Sequence, residues 1–556
     1  MLQNCSQCFQ VFDISPEDLA FYDSISPVMG GQKQAIPPPQ RCPSCRLQKR
    51  MAFRNERKLY HRKSDLSGKL ILTNYSPEKN YKVYDQDEWW SDQWEGLSFG
   101  RDFDFNRSFS EQFDELMHEV PHISLINTGC ENSYFTNFAL FQKNCYLIFG
   151  GGNSEDCMHG KYIVSCKNCV DNLTLYNSEL CYEGVASDNC YQCHYFSHSR
   201  NCVDCLMIDN CLACKNCIGC FGLVNKEYFY FNQFVGKEKF MELKAALYPL
   251  TPAKIAALRT QFEAMKAQLP HRQARIYASE NCTGDNIYNS KNCQISYDIK
   301  ECEDCKFMNF APKCKGSYDT SFCAPDGVQF SYNMCSAIST RSMTGYLVWY
   351  CDSVYYSEEC HHSNDLFGCV GLKNKRYCIL NKQYSKGEYE ALMPRIIEHM
   401  RKTGEWGEYF DYKLSPFCYN ETVAQEYFPL DEAGAAAVGA RWYPVAPETL
   451  EGTLLSSVPE NIQEVGDEIL SQVLTCEVTK RPYKIIPPEL KFYRSQGLPI
   501  PRRHPDQRHM DRVALHTPYH LFDRACSQCG KDMQTAYSTQ KAPIVYCEEC
   551  YLKLIY

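Results

Sequence analysis

No stretch of this 556-residue sequence approaches the 18 apolar residues that an ordinary membrane span requires. The opening MLQNCSQCFQ has neither a basic n-region nor an apolar h-region, so no secretory signal is expected. No P-loop of the form G-x-x-x-x-G-K-S/T and no G-x-G-x-x-G occur, which sets aside the standard nucleotide and dinucleotide cradles. Net charge is also small. The 58 Lys+Arg against 67 Asp+Glu leave −9, too mild for the whole molecule to read as a polyanion binder. The fourteen histidines are scattered, and the groupings His361-His362 and His194/His198 are expected at the surface rather than as ligands. These gaps argue against an enzyme.

What the sequence holds in excess is cysteine, 35 residues. Disulfide frameworks belong to short exported chains, whereas thiolate ligands need reducing conditions, so a cytoplasmic protein is expected. At the N-terminus Cys5-x2-Cys8 and Cys42-x2-Cys45 are 33 residues apart; at the C-terminus Cys526-x2-Cys529 and Cys547-x2-Cys550 are 17 apart, with Gly530 after the first knuckle. Two knuckles, each aiming two sulfurs at one point, complete the closed tetrahedron of a structural zinc site. Two structural Zn2+ sites are therefore expected, and no catalytic residue.

The ends also resemble each other. Phe12–Tyr22, FDISPEDLAFY, matches Tyr483–Tyr493, YKIIPPELKFY, which sets Cys476 under Cys5 and Thr479 under Cys8. From Arg41 onward one offset of 462 residues lays RCPSCR over RHPDQR, so His504 and Gln507 replace Cys42 and Cys45. The same offset puts Ser64, Ser67, Asp85 and Glu88 under the four C-terminal cysteines. Each end reads as a tandem of two ribbons with one metal set retained, and hydrogen bonding is expected to replace metal at the serine–carboxylate set.

Between the ends runs a twelve-residue rhythm. Cysteines stand at 145, 157, 169, 181, 193, 205 and 217, and a second column holds Ser154, Cys166, Ser178, Cys190, Cys202 and Cys214. Asn often precedes these corners, and strand-forming Tyr, Phe, Leu, Ile and Val lie between them, as in Tyr146–Phe149. The reading is a β-solenoid whose thiols pack as small hydrophobes, since Ser substitutes freely in the same columns. The many large aromatics favour a coil of twenty-four residues over twelve. A second, less regular solenoid follows, with Cys302/Cys305 and Cys360/Ser363, and both close alike: GCFGLVNKEYFYFNQF against GCVGLKNKRYCILNKQY. Helical stretches follow each, the first broken by Pro249 and Pro252 into a hairpin.

The fold class expected is thus mainly β: two cysteine-rich β-solenoid segments with helical inserts, flanked by tandem zinc-ribbon modules. The expected units are an intact ribbon (1–58), a degenerate ribbon with an aromatic cap (59–120) and a first solenoid (121–235). A helical hairpin (236–275), a second solenoid (276–384) and a helix with linker (385–475) follow, then a degenerate ribbon (476–525) and an intact one (526–556). The aromatic Trp89–Leu116 segment is expected to cap the first solenoid coil.

Nine Lys/Arg between Arg41 and Lys63 face a single acid, Glu56. Arg46, Lys49, Arg50, Arg54 and Arg57 are candidates for contact with RNA or DNA phosphates; the competing expectation is pairing with acids such as those of Asp85–Glu95. Several motifs, among them RCPSCR, RNERKLY, WWSDQW, FGRDFDF, NETVAQEYFPL and KIIPPELKFY, resemble a zinc-ribbon and cysteine-repeat family abundant in candidate-phyla bacteria. Some of its members bear a CaiB/BaiF name, implying coenzyme A transfer, but this sequence suggests neither such a site nor a doubly wound fold. The function expected is a non-enzymatic scaffold or interaction module with a protein partner and no membrane. Nucleic-acid binding through the basic ribbon faces is the alternative, and a β-helix enzyme on polysaccharide a minor one.

Overall fold

A computed structural model describes residues 1–444 and 458–555; residues 445–457, part of the expected linker, and Tyr556 lie outside the described residues. The chain is mainly β, dominated by two large, almost wholly parallel sheets. The first runs through eleven strands from Asn127–Thr128 to Gln233–Phe234, each hydrogen-bonded to the next in the chain. Its register advances by twelve residues per strand: Tyr146 pairs with Met158, Leu173 with Val185 and Leu206 with Ile218. The strand-to-strand step is therefore twelve residues, where the aromatic content favours a coil of twenty-four.

The reason lies in the backbone. Positive φ recurs at every third residue, as at Asn153, Asp156, His159, Tyr162, Ser165 and Asn168, so the chain turns four corners per twelve residues. Asn and Asp adopt this conformation more readily than other side chains, which explains the Asn before so many cysteines. One residue in three points inward. Cys145, Ile148, Ser154, Cys157, Ile163, Cys166 and Cys169 are buried in that narrow interior. Phe196 fits inside only where Gly184 makes room for its ring, and most aromatics pack outside: Tyr162 lies 4.6 Å from Phe310 of the second sheet, and Tyr182 lies 5.8 Å from Tyr493.

Cys and Ser interchange in these columns because both do the same job. Ser290 Oγ donates to the Tyr288 carbonyl at 2.8 Å and accepts from the Cys302 N–H at 3.1 Å. Cys302 repeats this one turn on: its thiol lies 3.0 Å from the Ala311 carbonyl, and its sulfur accepts from the Cys314 N–H at 3.4 Å. In both, the small polar side chain satisfies an inward backbone N–H twelve residues later. Cys302→Ser should therefore change stability by less than about 1 kcal/mol, whereas Cys302→Val, which orphans the Cys314 N–H, should cost about 1–3 kcal/mol. Thermal melts of the two variants check this.

The second sheet has thirteen strands from Ile276–Tyr277 to Lys382–Gln383. It keeps the twelve-residue step at Tyr297 with Asn309 and at Asp352 with Asn364, but lapses where Tyr318 meets Tyr332 and Tyr332 meets Met343. Both sheets close the same way. Asn232 brackets the Phe221 backbone with a donor and an acceptor, each at 2.9 Å, and Asn381 does the same to Val370 at 2.8 and 2.9 Å. Helices follow each closure: Lys237–Leu247 and Pro252–Lys266 after the first, Lys386–Lys402 after the second.

The aromatic segment after the second ribbon does not cap the first coil. It lies on the end of the second sheet, where the last strands would otherwise be bare. The Arg101 N–H donates to the Leu380 carbonyl at 3.1 Å and Asn381 Nδ2 to the Gly96 carbonyl at 3.1 Å. A Cβ on Gly100 would sit 2.7 Å from the Asn381 carbonyl oxygen, so only glycine permits this approach.

Candidate metal centres

Four short ribbons share one backbone plan. In each, a positive-φ residue follows the first knuckle: Phe9, Gly68, Lys480 and Gly530. The N–H of that residue donates four residues back, to Cys5, Ser64, Cys476 and Cys526, at 3.0, 2.9, 3.1 and 2.9 Å. The second knuckle opens a helix in all four. Cys42 caps Pro43–Met51, Asp85 caps Gln86–Trp90, His504 caps Pro505–Leu515, and Cys547 immediately precedes Glu548–Ile555.

Two of the four carry a complete thiol set. The sulfurs of Cys5, Cys8, Cys42 and Cys45 all lie within 4.8 Å of one another, as do those of Cys526, Cys529, Cys547 and Cys550. Cys8 and Cys42 Sγ are 3.7 Å apart and Cys529 and Cys547 Sγ 3.9 Å, close to the roughly 3.8 Å edge of a tetrahedron with 2.3 Å metal–sulfur bonds. The first sulfur of each set is cradled by backbone: the Cys42 N–H reaches Cys5 Sγ at 3.3 Å, and the Cys547 N–H reaches Cys526 Sγ at 3.2 Å. The thiol of Cys45 holds Cys42 down to about 5. Burial works against Cys526, yet the N–H groups of Cys547, Cys529 and Gln528 bring it down to about 6. The partner thiols move the other way, with Cys45 raised by Cys42 and Cys550 raised to about 12 by Cys547. Four thiols at this spacing cannot all ionise unless a cation joins them, so both sets fit a metal ion.

The other two ribbons keep the geometry without the ligands. Glu88 accepts from the Ser64 hydroxyl and, at 3.2 Å, from the Asp85 N–H. In the fourth ribbon the Thr479 N–H reaches Cys476 Sγ at 3.4 Å, and Gln507 donates to Asp511 at 2.9 Å. Hydrogen bonds stand where the metal ligands would be.

Four of the five basic candidates for phosphate contact, Arg46, Lys49, Arg50 and Arg54, are buried, and Arg57 is partly exposed. Arg46 lies 2.9 Å and Arg50 3.0 Å from the Asp319 carboxylate, and both side chains are almost fully buried. Arg54 pairs with Glu56 at 2.5 Å, and Lys49 donates to the Tyr409 carbonyl at 3.0 Å. Burial pulls Lys49 down to about 8. Arg57 meets Asp506 at 3.1 Å. Neither the open cationic face nor the pairing with Asp85–Glu95 is found, because the Pro43–Met51 helix turns its basic face onto the second sheet. Its counterpart does the same to the first sheet: Arg508 and Arg512, 462 residues after Arg46 and Arg50, both pair with buried Asp171.

The second ribbon of each tandem joins the other sheet's side. Val83 pairs with His122 just before the first sheet, and Val545 pairs with His271 just before the second. Each tandem therefore sets the helix of its first ribbon against one sheet and pairs its second ribbon with the strand that precedes the other.

Two enzyme-like spellings do not form their sites. His118-Glu119-Val120-Pro121-His122 reads as H-E-x-x-H, but Pro121 ends the Phe109–Glu119 helix, so the histidines do not share a helical face. His118 stacks on Tyr81 at 4.3 Å, while His122 is buried in an extended strand. Gly96-Leu97-Ser98-Phe99-Gly100 reads as G-x-S-x-G, yet it lies in a 3-10 turn, and the Ser98 hydroxyl donates to the Glu95 carbonyl at 2.6 Å. His194 and His361 are buried rather than at the surface. A cleft of about 520 Å³ between the first sheet and the Pro252–Lys266 helix brings Tyr182, Tyr195, Arg259 and Glu183 together. Burial lifts Glu183 to about 7 against the pull of Arg512, which pairs with it at 3.1 Å.

No protein-family model and no curated protein matches this chain. A crystal structure described as a "putative acetyltransferase" from Desulfovibrio desulfuricans G20 aligns with 50% of this chain and 82% of its own, at 9% identity and a TM-score of 0.10. A likeness that low carries no argument.

Proposed function

We propose that this chain is a zinc-stabilised β-solenoid scaffold of a reducing, cytoplasmic compartment, an interaction module for a protein partner rather than an enzyme. The observation that carries the reading is the bridging: each ribbon tandem lies against one sheet and pairs with the strand that precedes the other, and each tandem holds one four-thiol set. Four thiolates with no position left for substrate suit a structural Zn2+. The twelve-residue register, kept through the parallel strands of the first sheet and with lapses in the second, and the four corners per twelve residues suit two short solenoids with a square interior. The resemblance to a zinc-ribbon and cysteine-repeat family is in keeping with this reading. The nucleic-acid alternative is weaker, because Arg46, Lys49, Arg50, Arg54 and Arg57 are spent on internal partners.

Metal analysis of the full chain, purified under reducing conditions, tests the proposal. Two zinc ions per chain should be released by a thiol-specific mercurial. Thiolate-bound iron, or four or more mercurial-releasable metals, would overturn the structural account of the inner cysteines. Fluorescence anisotropy with RNA and DNA oligonucleotides should show no binding at low salt; steeply salt-dependent binding would favour the alternative.

A further inference from the structure

Outside the two thiol sets, one more group of side chains among the described residues has ligand spacing. His122, Glu358 and Glu359 offer atoms that all lie within 4.8 Å of one another. All three are essentially inaccessible to solvent. His122 Nε2 lies 2.8 Å from the Met117 carbonyl, an arrangement in which Nε2 carries a proton and Nδ1 is turned toward the glutamates. Nδ1 faces Glu359 Oε2 at 3.4 Å without hydrogen-bonding it. Glu359 is held from behind by the Tyr75 hydroxyl at 3.4 Å and the Ile123 N–H at 3.3 Å. Both oxygens of Glu358 are buried with no hydrogen-bond partner. A ring nitrogen and two carboxylates thus converge on one point, and among the described residues no lysine or arginine pairs with them.

The other half of the molecule solves the same problem differently. Asp209 occupies the twin position of Glu358: the Gly222 N–H donates to the Asp209 carbonyl, and the Gly371 N–H to that of Glu358, both at 3.0 Å. His271 is the twin of His122 in the strand pairing. There the carboxylate meets Lys266 at 2.7 Å and His198 at 3.1 Å. The half with the unpaired carboxylate is also the half whose second ribbon has Ser64, Ser67, Asp85 and Glu88 in place of a thiol set.

We propose that His122, Glu358 and Glu359 form a third metal site, binding one divalent first-row transition cation through a nitrogen and two carboxylate groups. One imidazole with two carboxylates is a borderline-to-hard donor set, suited to Zn2+ or Mn2+ and unlike the all-sulfur sets at the chain ends. The Met117 carbonyl on Nε2 and the Tyr75 and Ile123 donors on Glu359 are the outer contacts that orient such ligands. The ion would join the strand that leads into the first sheet to the second sheet. The rival occupant is a proton, since burial pushes Glu358 up to about 8 against the pull of His122, and the two glutamates lift His122 to about 9 against its burial.

Metal stoichiometry of the full chain, refolded under reducing conditions with Zn2+ or with Mn2+ added to zinc-loaded protein, tests this. The wild type should carry three ions, of which a mercurial releases two and leaves the third. Glu358→Gln should carry two, both mercurial-releasable, and melt at a lower temperature. A wild type that never exceeds two ions overturns the proposal, as does a Glu358→Gln count equal to the wild type's. Glu358→Gln that melts at or above a two-ion wild type would assign the cluster to a shared proton. If Glu358→Gln fails to fold, the wild-type count decides alone. The mercurial-releasable pair reports the thiol sites separately, so failure here leaves the zinc-scaffold reading to its own test.

Discussion

Asp319→Asn should destabilise the chain by about 3–5 kcal/mol, because it strands two buried guanidinium groups at once. Arg46 and Arg50 reach Asp319 at 2.9 and 3.0 Å, and all three side chains are at most 6% exposed. The remaining partners of Arg50 are neutral, Ser321 at 3.2 Å and Asn333 at 3.1 Å. Asparagine preserves shape and removes the charge, so the loss reads the ion pairing rather than a cavity. The twin change, Asp171→Asn, should cost less, since Arg508 keeps Glu489 at 3.3 Å and Arg512 keeps Glu183 at 3.1 Å. Thermal melts of both variants check the order. A loss below about 1 kcal/mol for Asp319→Asn would mean the pair barely repays its desolvation. Replacing Arg46, Arg50 and Asp319 together with apolar residues should be far milder than losing the aspartate alone.

These pairs show what the sequence could and could not disclose. The thiol sets were legible because C-x2-C spacing is local and a metal fixes its meaning. The twelve-residue step was legible in the cysteine columns, but the size of the coil was not. Corners at Leu147, Tyr162, Met207 and Phe310 fall on residues with no turn preference, so the triplet rule is written in the backbone more than in side-chain types. Arg46 and Asp319 stand 273 residues apart, and no local pattern joins them. One signal was present all the same. The C-terminal copy loses Cys42 and Cys45 to His504 and Gln507 yet keeps Arg46 and Arg50 as Arg508 and Arg512, four residues apart on one helical face. A position retained where the adjoining ligands are not points to docking, and not to phosphate. H-E-x-x-H was equally legible and would have misled, because its meaning depends on a continuous helix that Pro121 prevents.

Docking also divides the two thiol sets in what metal loss should do. The C-terminal ribbon has little else to hold it. From Phe522 onward its buried apolar side chains include Ala536, Ala542, Val545 and Tyr551, and its hold on the second sheet rests on short contacts. These include the Val545–His271 pairing, the Thr535 hydroxyl donating to the Gln273 carbonyl at 2.6 Å and an Arg272–Glu548 ion pair, all on the segment just before that sheet, and the Asn210 amide donating to the Tyr551 hydroxyl at 3.2 Å on the first sheet. A core this small folds only with its metal, whose binding free energy is of the order of 10 kcal/mol in isolated zinc modules. Cys547→Ser should therefore remove one metal and melt residues 522–555 as a unit. At the N-terminus the Pro43–Met51 helix is fixed independently by Arg46, Lys49 and Arg50, and Phe21 stacks on Tyr318 at 3.6 Å. The metal-free twin, the Pro505–Leu515 helix, sits on its own sheet by the same kind of contacts. Cys42→Ser should likewise remove one metal but leave Pro43–Met51 docked, with fraying confined to the first knuckle. Amide hydrogen exchange read by mass spectrometry separates the cases: protection should collapse over 522–555 in Cys547→Ser and persist over 43–51 in Cys42→Ser. Persistent protection of 522–555 after metal loss, or collapse of 43–51 with Cys42, would show that the metals and the buried arginines do not divide the work in this way.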